Sequence, residues 1–204
     1  MIVKVCGLRE PENINNVVGA GADMLGFILF PPSPRFIGND CNIPATPQGI
    51  DRVGVFVNEL FETIESWAIK LKLTHIQLHG SESVELCKQL KQKGYKVIKS
   101  ISIESHKDFD QCKIYDGVVD LLLFDTKCKS YGGSGMSFDW SLIDYYIGFT
   151  PFLLSGGITP DMHKSIKAIK HNKLAGIDVN SGFEIKPALK DTNKVEQFIK
   201  NIKQ

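Results

Sequence analysis

Two reactive side chains stand at the ends of apolar segments that are typical of buried strands. Cys6 ends the segment 1–6 and is followed by Gly7, whereas Asp125 ends the apolar run 121–124. The carboxyl ends of parallel strands are where α/β folds bind their ligands. A thiol and a carboxylate at two such ends are suited to act as a base and an acid. The sequence therefore predicts an acid/base site built from Cys6 and Asp125.

The composition indicates a soluble globular protein with little overall charge. The 24 basic and 23 acidic residues leave a formal net charge of +1, and no block of like charge is present. This balance argues against nucleic-acid or membrane-surface binding, so an anionic ligand would have to be held by local groups. The apolar stretches are far shorter than the roughly 20 residues of a membrane span.

The cysteine pattern argues against a disulfide framework and against structural zinc. The five cysteines are scattered and odd in number, and none lies in a Cys-x-x-Cys or Cys/His pattern. Reduced thiols fit a cytoplasmic protein best. Apart from Cys6, they are interpreted as small buried hydrophobic residues, and these are Cys41, Cys87, Cys112 and Cys128.

Strand-like and helix-like segments alternate along the chain. The predicted strands are 2–6, 24–30, 52–57, 75–78, 96–100, 119–124, 152–154 and 176–179. The predicted helices are 12–20, 60–71, 83–93, 106–113, 139–146, 160–169 and 192–203. One further helix position, 44–50, contains two prolines and a glycine, which predicts a short or distorted helix.

This alternation predicts an α/β fold, a (β/α)8 TIM barrel in which residues 1–204 form a single domain. Eight units of about 25 residues each hold one strand, one helix and two short loops. An open doubly wound sheet is the alternative. It usually carries a glycine fingerprint in its first turn, which Cys6-Gly7-Leu8 does not supply.

Ten short motifs follow one another along the whole chain. They are Lys4-Val5-Cys6-Gly7-Leu8, Gly26-Phe27-Ile28, Ser33-Pro34-Arg35, Val53-Gly54-Val55-Phe56, Gln77-Leu78-His79-Gly80, Phe124-Asp125-Thr126, Gly132-Gly133-Ser134-Gly135, Phe138-Asp139-Trp140, Ser155-Gly156-Gly157-Ile158 and the segment 176–184. Each motif alone is a weak signal, whereas ten in this order and spacing are a strong one. Together they resemble the phosphoribosylanthranilate isomerase family of tryptophan biosynthesis.

The resemblance implies an Amadori rearrangement of N-(5-phosphoribosyl)anthranilate to 1-(2-carboxyphenylamino)-1-deoxyribulose 5-phosphate. Asp125 matches the family's acid, which opens the furanose ring, and Cys6 matches its base, which removes the proton from C2. Cys6 would need a positive potential to ionise from a reference pKa of about 8.5. Asp125 would need to hold a proton near neutral pH, which desolvation against Leu123 and Phe124 would favour.

Substrate-binding residues follow from the same resemblance. Arg35 is expected to bind the anthranilate carboxylate through its planar guanidinium, against the alternative of a solvated loop arginine. The phosphate is expected at the loops after strands seven and eight, where glycines let backbone N–H groups approach closely. That site comprises Gly156, Gly157, Asn180, Ser181 and Gly182, and Asn180 replaces the serine expected in the family.

Several roles stay open at the level of sequence. Lys4 lies on the same face of its strand as Cys6 and needs a partner, for which Asp178 is the candidate. Lys4 either helps Cys6 ionise or forms a structural ion pair, and Asp178 is an alternative ligand for sugar hydroxyls. His79 either contacts the ligand or makes a structural hydrogen bond. The glycine-rich motif 132–135 is either a lid or an ordinary connector.

Other functions fit the residues less well. The histidine-pathway isomerase family uses an aspartate at the first strand end, where this chain has Cys6. Indole-glycerol-phosphate synthase would require inward lysines that the segment 52–58 does not offer. A catalytically silent sugar-phosphate-binding barrel would not need Cys6, Asp125 and Arg35. No metal or organic cofactor is expected, and the resemblance allows other tryptophan-pathway enzymes as partners.

Overall fold

A computed structural model describes residues 1–126 and 139–204. Eight parallel strands form a closed barrel in which each strand pairs with the next and β8 pairs with β1. Their bounds are β1 Ile2–Cys6, β2 Met24–Ile28, β3 Asp51–Phe56, β4 His75–Leu78, β5 Lys96–Ile103, β6 Leu121–Thr126, β7 Phe152–Leu154 and β8 Leu174–Val179. The predicted (β/α)8 barrel is confirmed, and the open sheet is wrong.

Two apolar layers explain why the strands are hydrophobic at nearly every position. One set of side chains points outward and packs beneath the helices, for example Val3, Val5 and Phe27, all without solvent exposure. The other set fills the barrel interior, as expected for a packed barrel rather than a pore, and comprises Met24, Val53, Ile98, Leu121, Leu123 and Leu153.

Within residues 1–126 and 139–204, five α-helices cover the outside of the barrel. They are α1 Pro11–Gly19, α2 Phe61–Leu71, α3 Val84–Gln92, α4 His163–Ala168 and α5 Thr192–Lys203. Pro11 stands at the start of α1, where its missing N–H costs nothing. The apolar stripe predicted for the last helix is buried, namely Val195, Phe198, Ile199 and Ile202. In the described ranges no helix is long and apolar enough to cross a membrane.

Two predicted helices are 3-10 helices, His106–Ile114 and Trp140–Tyr145. In the first, the buried side chains Phe109 and Cys112 are three residues apart. Side chains at this spacing line up in a 3-10 helix, whereas an α-helical face also needs i+4 partners. A third predicted helix, 160–169, is divided into a 3-10 turn at Pro160–Met162 followed by α4.

The helix expected at 44–50 is wrong. This segment, all of which is described, contains only a turn and irregular backbone between β2 and β3. Pro44 and Pro47 lack the N–H groups that a helix needs, and Gly49 has a positive φ of 93°.

A small antiparallel hairpin after β8 was not predicted. It pairs β9 Glu184–Lys186 with β10 Leu189–Lys190, and a short 3-10 turn at Ser181–Phe183 precedes it. The Asn13 side chain fixes the hairpin to α1, because it donates to the Lys190 carbonyl at 2.9 Å and accepts from the Lys190 N–H at 2.8 Å.

Candidate active site

Cys6 is placed at the mouth of the barrel by the glycines around it. Gly7 has a φ of 74°, and its N–H donates to the Gly26 carbonyl at 2.9 Å, so the chain turns directly after β1. A Cβ atom on Gly26 would lie 2.8 Å from the Cys6 Sγ atom. Any residue other than glycine at position 26 would therefore displace the Cys6 thiol from its place beside β2.

All of the predicted site residues except Arg35 meet at one cavity at the carboxyl ends of the strands. The cavity comprises about 720 Å³ of empty space, part of which is open to solvent. Among the predicted site residues, those that line it are Cys6, Asp125, Gly156, Gly157, Asp178, Asn180, Ser181 and Gly182. The predicted juxtaposition of the thiol and the carboxylate across a shared cavity is thus present.

Cys6 is 4% exposed, and burial raises the pKa of its thiol. The charges of Lys4 and Lys190 and a hydrogen bond with Lys4 act in the opposite direction, whereas Asp178 adds to the increase. Burial therefore dominates, and the thiol is protonated at neutral pH in this state. Ionisation depends on how strongly the surrounding cations offset desolvation.

Lys4 and Asp178 form a buried ion pair inside the barrel. The Lys4 Nζ atom lies 2.9 Å from the Asp178 Oδ1 atom, and the two side chains are 0% and 6% exposed. Their strands are in register, since Lys4 is directly opposite Asp178 in the β1–β8 pairing. Burial disfavours the Lys4 charge, but Asp178 and Cys6 outweigh it and raise the pKa of Lys4. Burial also raises the pKa of Asp178 against the effect of Lys4.

Asp125 lies in a polar environment at the end of β6. Its Oδ1 atom accepts from the Thr126 N–H at 2.9 Å, and its Oδ2 atom lies 3.5 Å from the His79 Nε2 atom. The His79 Nδ1 atom is 3.1 Å from the Gln77 Nε2 atom. His79 therefore connects Gln77 to Asp125, and its two ring nitrogens face one partner each. The expected desolvation by Leu123 and Phe124 is modest, since the Asp125 side chain remains 20% exposed.

Arg35 lies just behind the cavity wall. Its Cδ atom lies 2.9 Å from where a Cβ on Gly7 would stand, so it packs against the turn after Cys6. Glu184 accepts from Arg35 Nε at 2.9 Å and from Nη2 at 2.7 Å. The arginine is therefore not a solvated loop residue, and it is 8% exposed. Sequence reasoning included Glu184 in a motif but assigned it no partner.

Backbone geometry at the predicted phosphate loops requires glycine. Gly156 and Gly157 have φ values of 86° and 64°, which disfavour any side chain. A Cβ on Gly182 would meet the Ile158 carbonyl, so the two loops are in close contact. The three-residue 3-10 turn at 181–183 is the only helical element between β8 and the hairpin, a stretch that is fully described.

Lys190 is a site-adjacent residue that sequence reasoning missed. Its side chain is fully buried, and its Nζ atom donates to Asn180 Oδ1 and to Glu184 Oε1, each at 2.7 Å. A two-residue strand in a polar segment provides no periodic signal. The motif 132–135 and Cys128 lie outside the described residues, so the lid prediction and the interpretation of Cys128 stay predictions.

Comparisons with known proteins identify the family. Residues 3–201 match the family model "N-(5'phosphoribosyl)anthranilate (PRA) isomerase". The chain is 50% identical to N-(5'-phosphoribosyl)anthranilate isomerase from Phocaeicola vulgatus, covering 100% of this chain and 98% of that protein. It is 46% identical to the Parabacteroides distasonis enzyme, with 99% and 93% covered.

Solved structures agree with the sequence matches. Phosphoribosyl anthranilate isomerase from Thermotoga maritima superposes with a TM-score of 0.87 at 36% identity, covering 100% of this chain and 99% of that chain. A second isomerase structure, in complex with reduced 1-(o-carboxyphenylamino)-1-deoxyribulose 5-phosphate, has a TM-score of 0.81 at 34% identity, with the same coverage. The chain belongs to the N-(5'-phosphoribosyl)anthranilate isomerase family.

Proposed function

We propose that Cys6 and Asp125 are the base and the acid with which this chain isomerises N-(5'-phosphoribosyl)anthranilate. The activity itself, a step of tryptophan biosynthesis, follows from full-length family membership at up to 50% identity. The observation that supports the residue roles is their position at one cavity, on strands β1 and β6 of the barrel. A small phosphorylated sugar in this cavity would have a thiol and a carboxyl group on its two sides.

The proposed steps are two proton transfers followed by a tautomerisation. Protonated Asp125 donates to the furanose ring oxygen, the C1–O bond breaks, and the nitrogen lone pair forms a Schiff base. The Cys6 thiolate then removes the proton from C2, which leaves an enolamine. Protonation at C1 and loss of the C2 hydroxyl proton produce the ketone with no net proton change, and proton exchange with solvent returns Cys6 to the thiolate and Asp125 to the acid. General acid/base groups of this kind contribute about 10²–10⁴-fold each.

The remaining predicted residues would hold the two ends of the substrate. Glu184 uses the Nε and Nη2 atoms of Arg35, so we assign the Nη1 side of the guanidinium to the anthranilate carboxylate. Phosphate binding is assigned to backbone N–H groups of the loops after β7 and β8, where close approach is possible. The residues are Gly156, Gly157, Asn180, Ser181 and Gly182.

The cellular setting is part of the same proposal. We place the enzyme in the cytoplasm, as a single domain over residues 1–204, with the phosphorylated aminosugar as its ligand. Other enzymes of tryptophan biosynthesis are the proposed macromolecular partners, since they supply the substrate and use the product.

The test is a fluorescence assay that follows the loss of phosphoribosylanthranilate. Cys6→Ala and Asp125→Asn should each lower kcat by about 10²–10⁴-fold. Cys41→Ala is the matched thiol control, because Cys41 is half-buried and lies outside the cavity lining. Near-parental turnover in either site variant would remove that residue from the mechanism. Arg35→Lys should raise KM more than it lowers kcat, since lysine keeps the charge but loses the planar fork.

A further inference from the structure

Two buried lysines act on Cys6, and they differ in how their charge is balanced. Lys4 has one carboxylate partner, Asp178, and it also hydrogen-bonds Cys6. Asp178 offsets part of the Lys4 charge at Cys6. Lys190 approaches from the hairpin, and its carboxylate partner Glu184 is shared with a second cation, Arg35.

The contacts of Lys190 match those of an ammonium ion. Its Nζ atom lies 2.7 Å from Glu184 Oε1, 2.7 Å from Asn180 Oδ1 and 3.3 Å from the Asn180 carbonyl oxygen. These are three acceptors, and a neutral amine has only two N–H donors. Burial lowers the pKa of Lys190, while Glu184 and Cys6 act to raise it.

The triad of Arg35, Glu184 and Lys190 carries two positive charges and one negative charge. The carboxylate bridges both cations, at 2.7 Å from Arg35 Nη2 and 2.7 Å from Lys190 Nζ. All three side chains are at most 10% exposed, so solvent screens the remaining positive charge weakly. Asn180 connects the triad to the cavity, because its side chain contacts Lys190 and lines the same cavity as Cys6.

We propose that Lys190 is a positioning residue for the base: the net positive charge of the Arg35–Glu184–Lys190 triad, added to that of Lys4, makes the Cys6 thiolate accessible. The inference rests on the proposed role of Cys6. Lys4 acts on Cys6 at close range and Asp178 offsets part of its charge, whereas Arg35 of the triad packs against the turn at Gly7. The titratable groups concerned are Lys4, Asp178, Arg35, Glu184, Lys190, Asp125 and His79.

The experiment measures the Cys6 thiolate directly. Iodoacetamide alkylates the purified protein at mildly alkaline pH, and mass spectrometry of the Cys6 peptide determines the rate, which follows the thiolate fraction. Lys190→Met should slow alkylation of Cys6 about tenfold, equivalent to about one pH unit. Lys190→Arg keeps the charge and should restore most of the rate.

Glu184→Gln provides a change of opposite sign. It removes the negative charge of the triad, so Cys6 should be alkylated about tenfold faster than in the parent. Disruption of the hairpin would shift both variants in the same direction, because both lose a buried contact. If Lys190→Met does not fold, Glu184→Gln and Lys190→Arg still decide the question.

Lys99→Met is the matched control for losing a buried lysine. Lys99 is 2% exposed and lies 3.2 Å from its own carboxylate, Glu82, at the β4–β5 side of the barrel. The Lys99→Met variant should be less stable than the parent, but its Cys6 should be alkylated at the parental rate. An unchanged rate in Lys190→Met, or a slower rate in Glu184→Gln, would overturn the inference. Full turnover in Cys6→Ala would instead refute the proposed function, whatever the alkylation rates are.

Discussion

Substitution of Lys4 by methionine should destabilise the protein in a pH-dependent way. Methionine matches the lysine side chain in length, so the loss is mainly that of the charge. Asp178, 6% exposed, would then be a buried carboxylate without its cation at 2.9 Å. Removing one member of a buried pair typically costs about 3–5 kcal/mol, because the remaining charge stays desolvated.

The sign of the pH dependence follows from the pKa of Asp178. Burial raises this pKa even in the parent, and without Lys4 it rises further. The folded variant then binds a proton that the unfolded chain has released. Stability therefore falls as pH rises between the unfolded pKa of Asp178 and its folded pKa, by at most about 1.4 kcal/mol per pH unit. The loss of stability in Lys4→Met should be small near pH 5 and large near pH 8, and its change with pH should follow about this slope.

Urea denaturation at several pH values measures the free energy of unfolding of the parent and of Lys4→Met. The double variant Lys4→Met/Asp178→Asn is the matched control, since it keeps the shape of the pair without a titrating carboxyl group. The difference in free energy of unfolding between this double variant and the parent should not show the extra pH dependence. An equal cost of Lys4→Met at low and high pH would refute the idea that Asp178 is left as an uncompensated buried charge.

Three further outcomes are expected. Gly156→Ala should destabilise the protein by about 1–3 kcal/mol and raise KM, because φ is 86° and a Cβ atom would strike the end of β6; urea unfolding and steady-state kinetics check this. His79→Gln, whose amide can place a donor where Nε2 faces Asp125, should retain more kcat than His79→Asn, whose shorter amide reaches only the Nδ1 position; equal losses would exclude a donor role of His79 toward Asp125. Cys87 and Cys112, whose pKa values are raised by burial to about 11 and about 12, should stay unalkylated at neutral pH in peptide mapping.

The fold could be predicted from sequence because its signals are local. Each strand is a short apolar run, and the alternation of eight such runs with helical segments leaves a closed barrel as the economical arrangement. Whether a helix is an α-helix or a 3-10 helix was harder to predict from sequence. Phe109 and Cys112 have the spacing of a 3-10 helix, but three-residue spacing also occurs on an α-helical face. The nonhelical segment 44–50 follows from its prolines, whose effect was underestimated.

The candidate site, too, could be predicted from sequence only in part. Cys6 and Asp125 were found because each ends a strand, and parallel topology brings all strand ends to one face of the barrel. The glycines at 156 and 157 were found because close backbone approach requires glycine. The contacts of His79 could not be predicted, since they depend on how the Gln77 and Asp125 side chains are oriented in the folded barrel.

Sequence alone therefore determined the strand ends, the barrel and the meeting of Cys6 and Asp125 at one cavity. Only the tertiary structure decided which charges are paired: Lys4 with Asp178 over 174 positions, and Arg35 with Glu184 over 149 positions. An ion pair forms where two oppositely charged side chains come within a few ångströms of each other. For residues so far apart along the chain, the closed ring of strands sets that distance. The positive charge left near Cys6 is a property of that arrangement, since the whole chain has a net charge of only +1.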